Sequence, residues 1–204
     1  MSIAFTEPAS ARAGLIGPNA VTQMAAALSA VCGAPLCRDV FEEAGLARYL
    51  CAPPTHMTPE VEVARLHRAA IGRLGEAKAA DVSREAGRRT GDYLLANRIP
   101  AVVQRVLKIM PRPLAARILV AAIARHAWTF AGRGEFSYEF GPHLRLRIVG
   151  SPICKGLCTE APACAYFAAT FARVFAGMLG PSLSVAETEC AATGAAACVF
   201  EVRW

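Results

Sequence analysis

Residues 132–204 read GRGEFSYEFGPHLRLRIVGSPICKGLCTEAPACAYFAATFARVFAGMLGPSLSVAETECAATGAAACVFEVRW, and this stretch decides the fold. From Gly132 the apolar residues take a period of two. Phe136, Tyr138 and Phe140 alternate with polar neighbours, and Leu144, Leu146 and Ile148 do the same beyond Gly141-Pro142. That alternation predicts a β-hairpin. A cysteine-bearing loop follows over 150–163, then an apolar helix over 164–179 closed by Gly180-Pro181. Two more strands are expected over 183–189 and 198–204, the second placing Cys198, Phe200, Val202 and Trp204 on one face.

Upstream of Gly132 the period is helical. Gly17-Pro18-Asn19 opens a helix whose Val21, Met24, Leu28 and Val31 share one face, and Gly33 ends it. A second helical run covers 37–50, up to Pro53-Pro54. Thr58-Pro59-Glu60 predicts a helix start with a capping hydroxyl, a proline at the first position and an acid in the first turn. A further helix is expected over 76–97, with Arg84, Arg88 and Arg89 outside. Pro100, Pro111 and Pro113 then bound a short helix over 101–110 and a long apolar one over 114–131. The order implies an α+β domain, helices packed on an antiparallel sheet of about four strands. We expect a flexible leader over 1–16 and one domain over 17–204, helical over 17–131 and hairpin-helix-hairpin over 132–204.

With 204 residues the chain suffices for one substantial core. Charged residues make up 19%, too few hydrophilic groups for a disordered chain of this apolar content. The formal net charge is +6, carried almost wholly by arginine, since the lysines are Lys78, Lys108 and Lys155. The arginines are spread over several elements without interleaved exposed aromatics, which argues against nucleic acid. The start lacks the charged-then-apolar pattern of a secretory signal. Arg117, Arg125 and His126 interrupt 114–131, so it reads as a buried helix or one lying against a membrane surface. We expect a cytoplasmic protein, in which the eight cysteines are reduced and serve as core filler or metal ligands.

Cys164, Glu187, Cys190 and Cys198, spaced C-x22-E-x2-C-x7-C, offer the four donors of a closed tetrahedral zinc site. The turn holding Thr193 and Gly194 brings the last three together, and Cys164 reaches the same corner from its helix. Small apolar core cysteines with a solvated Glu187 are the other reading of the same spacing. Cys154 and Cys158 stand outside the quartet and read as two free thiols, with an alternative ligand pair or a redox pair also open.

The segment from Cys164 to Val202, with Cys-Ala-Tyr, Glu187-Thr-Glu-Cys190, Gly194 and Cys198-Val-Phe, resembles the 4-vinyl reductase domain family. The resemblance implies a structural zinc on Cys164, Glu187, Cys190 and Cys198, and a fold like TRAPP-type trafficking subunits, with a homodimer. Gly17-Pro-Asn-Ala-Val and 85–101 resemble the stand-alone members of photosynthetic bacteria. That implies a place in bacteriochlorophyll biosynthesis, beside its other enzymes and at the periphery of the photosynthetic membrane, acting on or carrying a vinyl-bearing tetrapyrrole.

The residues themselves favour carrying. Vinyl reduction needs a cofactor or electron donor, and the chain shows neither G-x-G-x-x-G after a strand nor a P-loop. A genuine vinyl reductase fed by an external donor, and a zinc-stabilised small-molecule sensor or interaction module, remain the alternatives. For a pigment pocket between helices and sheet, the candidates are His126 and His143 as axial ligands, Trp128 and Tyr138 with Phe130 and Phe136 as stacking surfaces, and Arg125 with Arg145 and Arg147 for propionates. Each also has a structural reading: a hydrogen-bonded histidine, a core aromatic, a solvated strand face.

Overall fold

The structure is a computed structural model, and residues 14–204 are described. Eight helices are present among them: α1 (Asn19–Cys32), α2 (Ala34–Glu43), α3 (Arg48–Cys51), α4 (Glu60–Leu74), α5 (Glu76–Asn97), α6 (Ala101–Ile109), α7 (Arg112–Arg125) and α8 (Ala165–Leu179). A two-residue ladder joins β1 (Leu15–Ile16) to β2 (Thr58–Pro59). The main sheet holds β3 (Glu135–Phe140), β4 (Leu144–Val149), β5 (Ser184–Glu189) and β6 (Cys198–Arg203) in the order β3-β4-β6-β5, every pair antiparallel. The expected α+β architecture with a four-stranded sheet is what the chain adopts.

Alternation sets the sheet's faces. Leu144, Leu146 and Ile148 of β4 are buried, as are Cys198, Phe200 and Val202 of β6, while Arg145 and Arg147 face water. Helix α8 lies on the buried face, Phe167 and Phe171 meeting Phe200 at ring distances of 6.4 and 5.4 Å. Phe130 and Phe136 join the same edge-to-face cluster. The space between helices and sheet, expected as a pocket lined by these rings, is therefore filled by packed core.

The opposite side of α8 meets α5. Gly87 and Gly91, one turn apart, permit the approach: a Cβ on Gly87 would stand 2.2 Å from the Tyr166 carbonyl oxygen, and one on Gly91 2.6 Å from Arg173 Cβ. Thr170 Oγ1 donates to Gly87 O at 3.2 Å, and Thr90 Oγ1 shares a hydrogen bond with the Tyr166 hydroxyl at 2.9 Å. The order α5, α8, sheet is the frame on which the candidate site rests.

Four details differ from expectation. The run over 37–50 divides into α2 and α3, because Gly45 takes a left-handed φ of 68° and the Leu46 N–H closes back on Phe41 O at 2.7 Å. Thr58 does not cap α4: its hydroxyl donates to Ile16 O in the small ladder. The helix expected over 114–131 runs from Arg112 to Arg125, where the His126 ring bonds Ala122 O and a short 3-10 turn, Ala127–Thr129, follows. Of the expected leader, 1–13 lie outside the described residues, while Ile16 is buried in β1. No described helix is long and apolar enough to cross a membrane.

Candidate metal centre

Four thiols meet where α8, the β5–β6 turn and the 150–163 loop converge. Cys154, Cys164, Cys190 and Cys198 are all buried, and their sulfurs lie within 4.8 Å of one another. Cys154 Sγ stands 3.2, 3.6 and 3.4 Å from those of Cys164, Cys190 and Cys198, and Cys164 Sγ is 3.4 Å from Cys198. Three of the four are the cysteines read from sequence. Cys154, which the spacing left outside the quartet, stands inside the cluster, whereas Cys158 is exposed.

Local chain geometry places each sulfur. Cys164 immediately precedes α8, with the Phe167 and Ala168 N–H groups donating to its carbonyl. Cys190 ends β5 and leads into a 3-10 turn, Ala191–Thr193, closed by Gly194 at a left-handed φ of 95°. That turn returns the chain to Cys198 at the start of β6. The Ala163 N–H donates to Cys190 Sγ at 3.3 Å and the Ala191 N–H to Cys198 Sγ at 3.4 Å, contacts that favour thiolate over thiol.

The loop carrying Cys154 is fastened from several sides. Lys155 Nζ pairs with the carboxylate of Glu60, which is buried at the start of α4 and also accepts the Arg133 N–H at 2.9 Å. The Glu76 carboxylate accepts the N–H groups of Glu160 and Ala161, and the Thr159 N–H donates to Ala192 O. None of these anchors was legible from spacing, and the Lys155–Glu60 contact between distant segments is what brings Cys154 to the other sulfurs.

Glu187 stands beside the sulfurs. Its Oε2 accepts the Cys164 N–H at 2.8 Å, while Oε1 is buried without a hydrogen-bond partner. Burial, together with the adjacent Cys190 sulfur, pushes its carboxyl up to about 9. Hydrogen bonds from Cys154, Cys164 and Cys198 pull the Cys190 thiol well below its ordinary range, and Cys164 is pushed well up chiefly by its contact with Cys154. The corner thus concentrates negative charge on buried sulfur.

These residues fit a tetrahedral metal ion. Metal–sulfur bonds of about 2.3 Å give sulfur separations of about 3.8 Å, close to those present, and four thiolates are a donor set selective for zinc. With all four positions taken by protein, such an ion would serve structure rather than catalysis.

The other sequence-derived candidates lie apart from this corner. Arg125, His126 and Trp128 are exposed where α7 gives way to the 3-10 turn. Tyr138 is exposed on edge strand β3, its ring edge-on to Phe140, and His143 sits in the β3–β4 turn with Nε2 3.7 Å from Glu201. An open groove of about 620 Å³ lies elsewhere, between α5, α8 and β5, and none of these five residues lines it. Its floor is Ala165, Ala168, Ala169, Ala172 and Ala176 with Leu183 and Val185, and its rim carries Arg84, Arg88, Arg173 and Glu187.

The family model of the 4-vinyl reductase domain matches residues 144–204, the span holding the four thiols. The chain is 42% identical over 187 residues to the "Bacteriochlorophyll synthase 23 kDa chain" of Cereibacter sphaeroides, covering 92% of this chain and 89% of that one. It is 37% identical over 185 residues to the protein of the same name from Rhodobacter capsulatus, covering 91% and 85%. A solved H-NOX protein from S. oneidensis, in its Fe(II)NO ligation state, gives a TM-score of 0.46 at 12% identity over 92% of this chain and 98% of that one, too slight a likeness to bear on function. The sheet with its sulfur corner and the relatives matched over most of their length agree: the chain belongs to the 4-vinyl reductase domain family, among the bacteriochlorophyll synthase 23 kDa chains.

Proposed function

We propose that this protein serves bacteriochlorophyll biosynthesis by binding a vinyl-bearing tetrapyrrole and delivering it to an enzyme of the pathway, rather than by reducing it unaided. The names of the relatives supply the pathway. The alanine-floored groove is the observation that supports binding. Five alanines along one face of α8 leave a shallow apolar surface with no projecting side chains, suited to a flat macrocycle. Arginine at the rim offers the planar fork that carboxylate side chains prefer.

The rim arginines are held in place yet free to exchange partners. Arg84 pairs with Asp81, Arg88 with Glu85 and Asp92, and Arg173 with Asp92, all solvent-accessible pairs. Such pairs contribute about 0–1 kcal/mol each, so a ligand carboxylate displaces them at little cost. Glu187 links groove and sulfur corner, lining the first while bonding the Cys164 N–H in the second. A structural zinc on the four thiols would hold that end of the groove in shape.

Titration of the purified protein with divinyl and monovinyl protochlorophyllide, with and without reduced nicotinamide, tests the proposal by pigment absorbance. Saturable binding without turnover, weakened about tenfold or more by Ala172→Trp in the groove floor, is the expected result. Nicotinamide-dependent loss of the vinyl group would make the protein a reductase. Absence of any tetrapyrrole binding would overturn the proposal and leave a sensor or interaction module.

A further inference from the structure

Helix α6 is turned inside out relative to an ordinary surface helix. Its inward side offers Leu107, buried, and Gln104, whose Nε2 donates to Leu95 O and Ile99 O. Its outward side carries Val102, Val103, Val106 and Ile109, with Val102 66% and Ile109 85% exposed. Across the Met110-Pro111 junction α7 continues the pattern with exposed Leu114 and Ile118. Six aliphatic side chains directed at water on two consecutive helices are not required by the core and signal a contact surface.

Charge says what kind. Between Asp92 and Glu135 the chain has no acidic residue, but it has Arg98, Arg105, Lys108, Arg112, Arg117, Arg125 and Arg133. Arg133 meets Glu60; among the described residues the other six form no ion pair. On α6, Arg105 and Lys108 make a cationic stripe next to the aliphatic one. Arginines on α5 and α8, by contrast, are matched to Asp81, Glu85 and Asp92.

We propose that the α6–α7 face docks on an anionic lipid bilayer surface, its aliphatic residues entering the acyl boundary while its cations meet the headgroups. A second copy of the chain is a poor occupant, because a two-fold contact through this face would set Arg105, Lys108 and Arg112 against their own counterparts. A protein partner fits less well, since interface cores favour aromatic residues and avoid lysine, whereas this face pairs bare aliphatics with lysine and arginine. The helices are too short to span and lie instead along the surface. The inference rests on this face alone and is independent of the pigment reading.

Vesicle flotation tests it directly. The full chain should float with vesicles of phosphatidylcholine and phosphatidylglycerol in equal parts, and not with phosphatidylcholine alone. Raising salt from about 0.05 to about 0.5 M should release it at least tenfold, as screening requires. Two variants, Val102→Ser/Val106→Ser/Ile109→Ser and Arg105→Glu/Lys108→Glu, should each lower partitioning at least tenfold while circular dichroism and pigment binding stay unchanged. The proposal is overturned by failure of the full chain to float with the anionic vesicles. Variants that remain folded and float as well as the parent also overturn it, as does a concentration-dependent dimer abolished by the same substitutions.

Discussion

The sulfur corner and the α6–α7 face follow opposite rules. In the corner, four thiols, two sulfur-directed N–H groups and a buried carboxyl come from three separate stretches of chain, and every one is enclosed. On the α6–α7 face the aliphatic groups point outward and six cations lack an ionic partner among the described residues. Substitutions in the corner therefore fall on the fold itself, whereas substitutions on the face leave the fold alone and fall on what the face touches.

The largest effect expected is loss of a sulfur. Purified without chelator, the protein should contain about one zinc per chain by elemental analysis. Cys190→Ser should lose it and lower the melting temperature by more than about 10 °C, because the binding energy of a structural metal is also folding energy. Cys154→Ser against Glu187→Gln then resolves the donor set. With four thiolates as ligands, Cys154→Ser releases the metal and Glu187→Gln keeps it. The reverse outcome would restore the quartet read from spacing, with Glu187 as the fourth donor.

Next in size is the α5–α8 contact on which the corner rests. Gly87→Val would drive a side chain into the Tyr166 carbonyl and should cost about 3 kcal/mol, measured by denaturant unfolding. Gly72 is the control: exposed in α4, with its nearest neighbour, a Glu43 carboxylate oxygen, 3.6 Å from a new Cβ. Gly72→Ala should stabilise by about 0.5–1 kcal/mol through helix propensity. Equal responses at the two positions would show that α5 and α8 are not in close contact.

A third expectation concerns pH. His67 is buried on α4 edge-on to Tyr166, its Nε2 has no hydrogen-bond partner, and burial lowers its imidazole to about 4. Above about pH 6.5 the ring is neutral in both folded and unfolded chains, so stability is undiminished. Between about 6.5 and 4 the unfolded chain takes up a proton that the folded chain refuses, and roughly 3 kcal/mol is lost. His67→Leu should remove that part of the slope. An unchanged difference in unfolding free energy between pH 7 and 5 would contradict the burial of the neutral ring.

What could be read from sequence divides along physical lines. Period-two alternation in 136–148 and 198–204 marked the strands because one face of each is buried, and Gly33 and Gly180 marked helix ends because both helices stop at a positive φ. Cys164, Cys190 and Cys198 were legible because a short turn and a single helix start bring them together. Cys154 was not, since its position depends on Lys155 meeting Glu60 from a distant helix, a contact no local pattern records. The five exposed pigment candidates were chosen for residue type alone. The groove's alanines were passed over because alanine is abundant throughout the chain and signals nothing until α5 and β5 flank it.

The smallest effect expected is also the one that separates the two regions most cleanly. Ile109→Ser removes a side chain that is already 85% exposed, so folding withdraws little of it from water. At about 25 cal/mol per Å² of apolar surface buried, the stability lost should stay under about 0.5 kcal/mol, against several for any thiol of the corner. Denaturant unfolding of Ile109→Ser, set beside vesicle flotation of the same sample, reads both quantities on one protein. A loss above about 1.5 kcal/mol would show that Ile109 is buried in the folded chain and that the α6 face belongs to the core. A near-zero loss with weakened flotation means that its apolar surface meets water until the bilayer covers it.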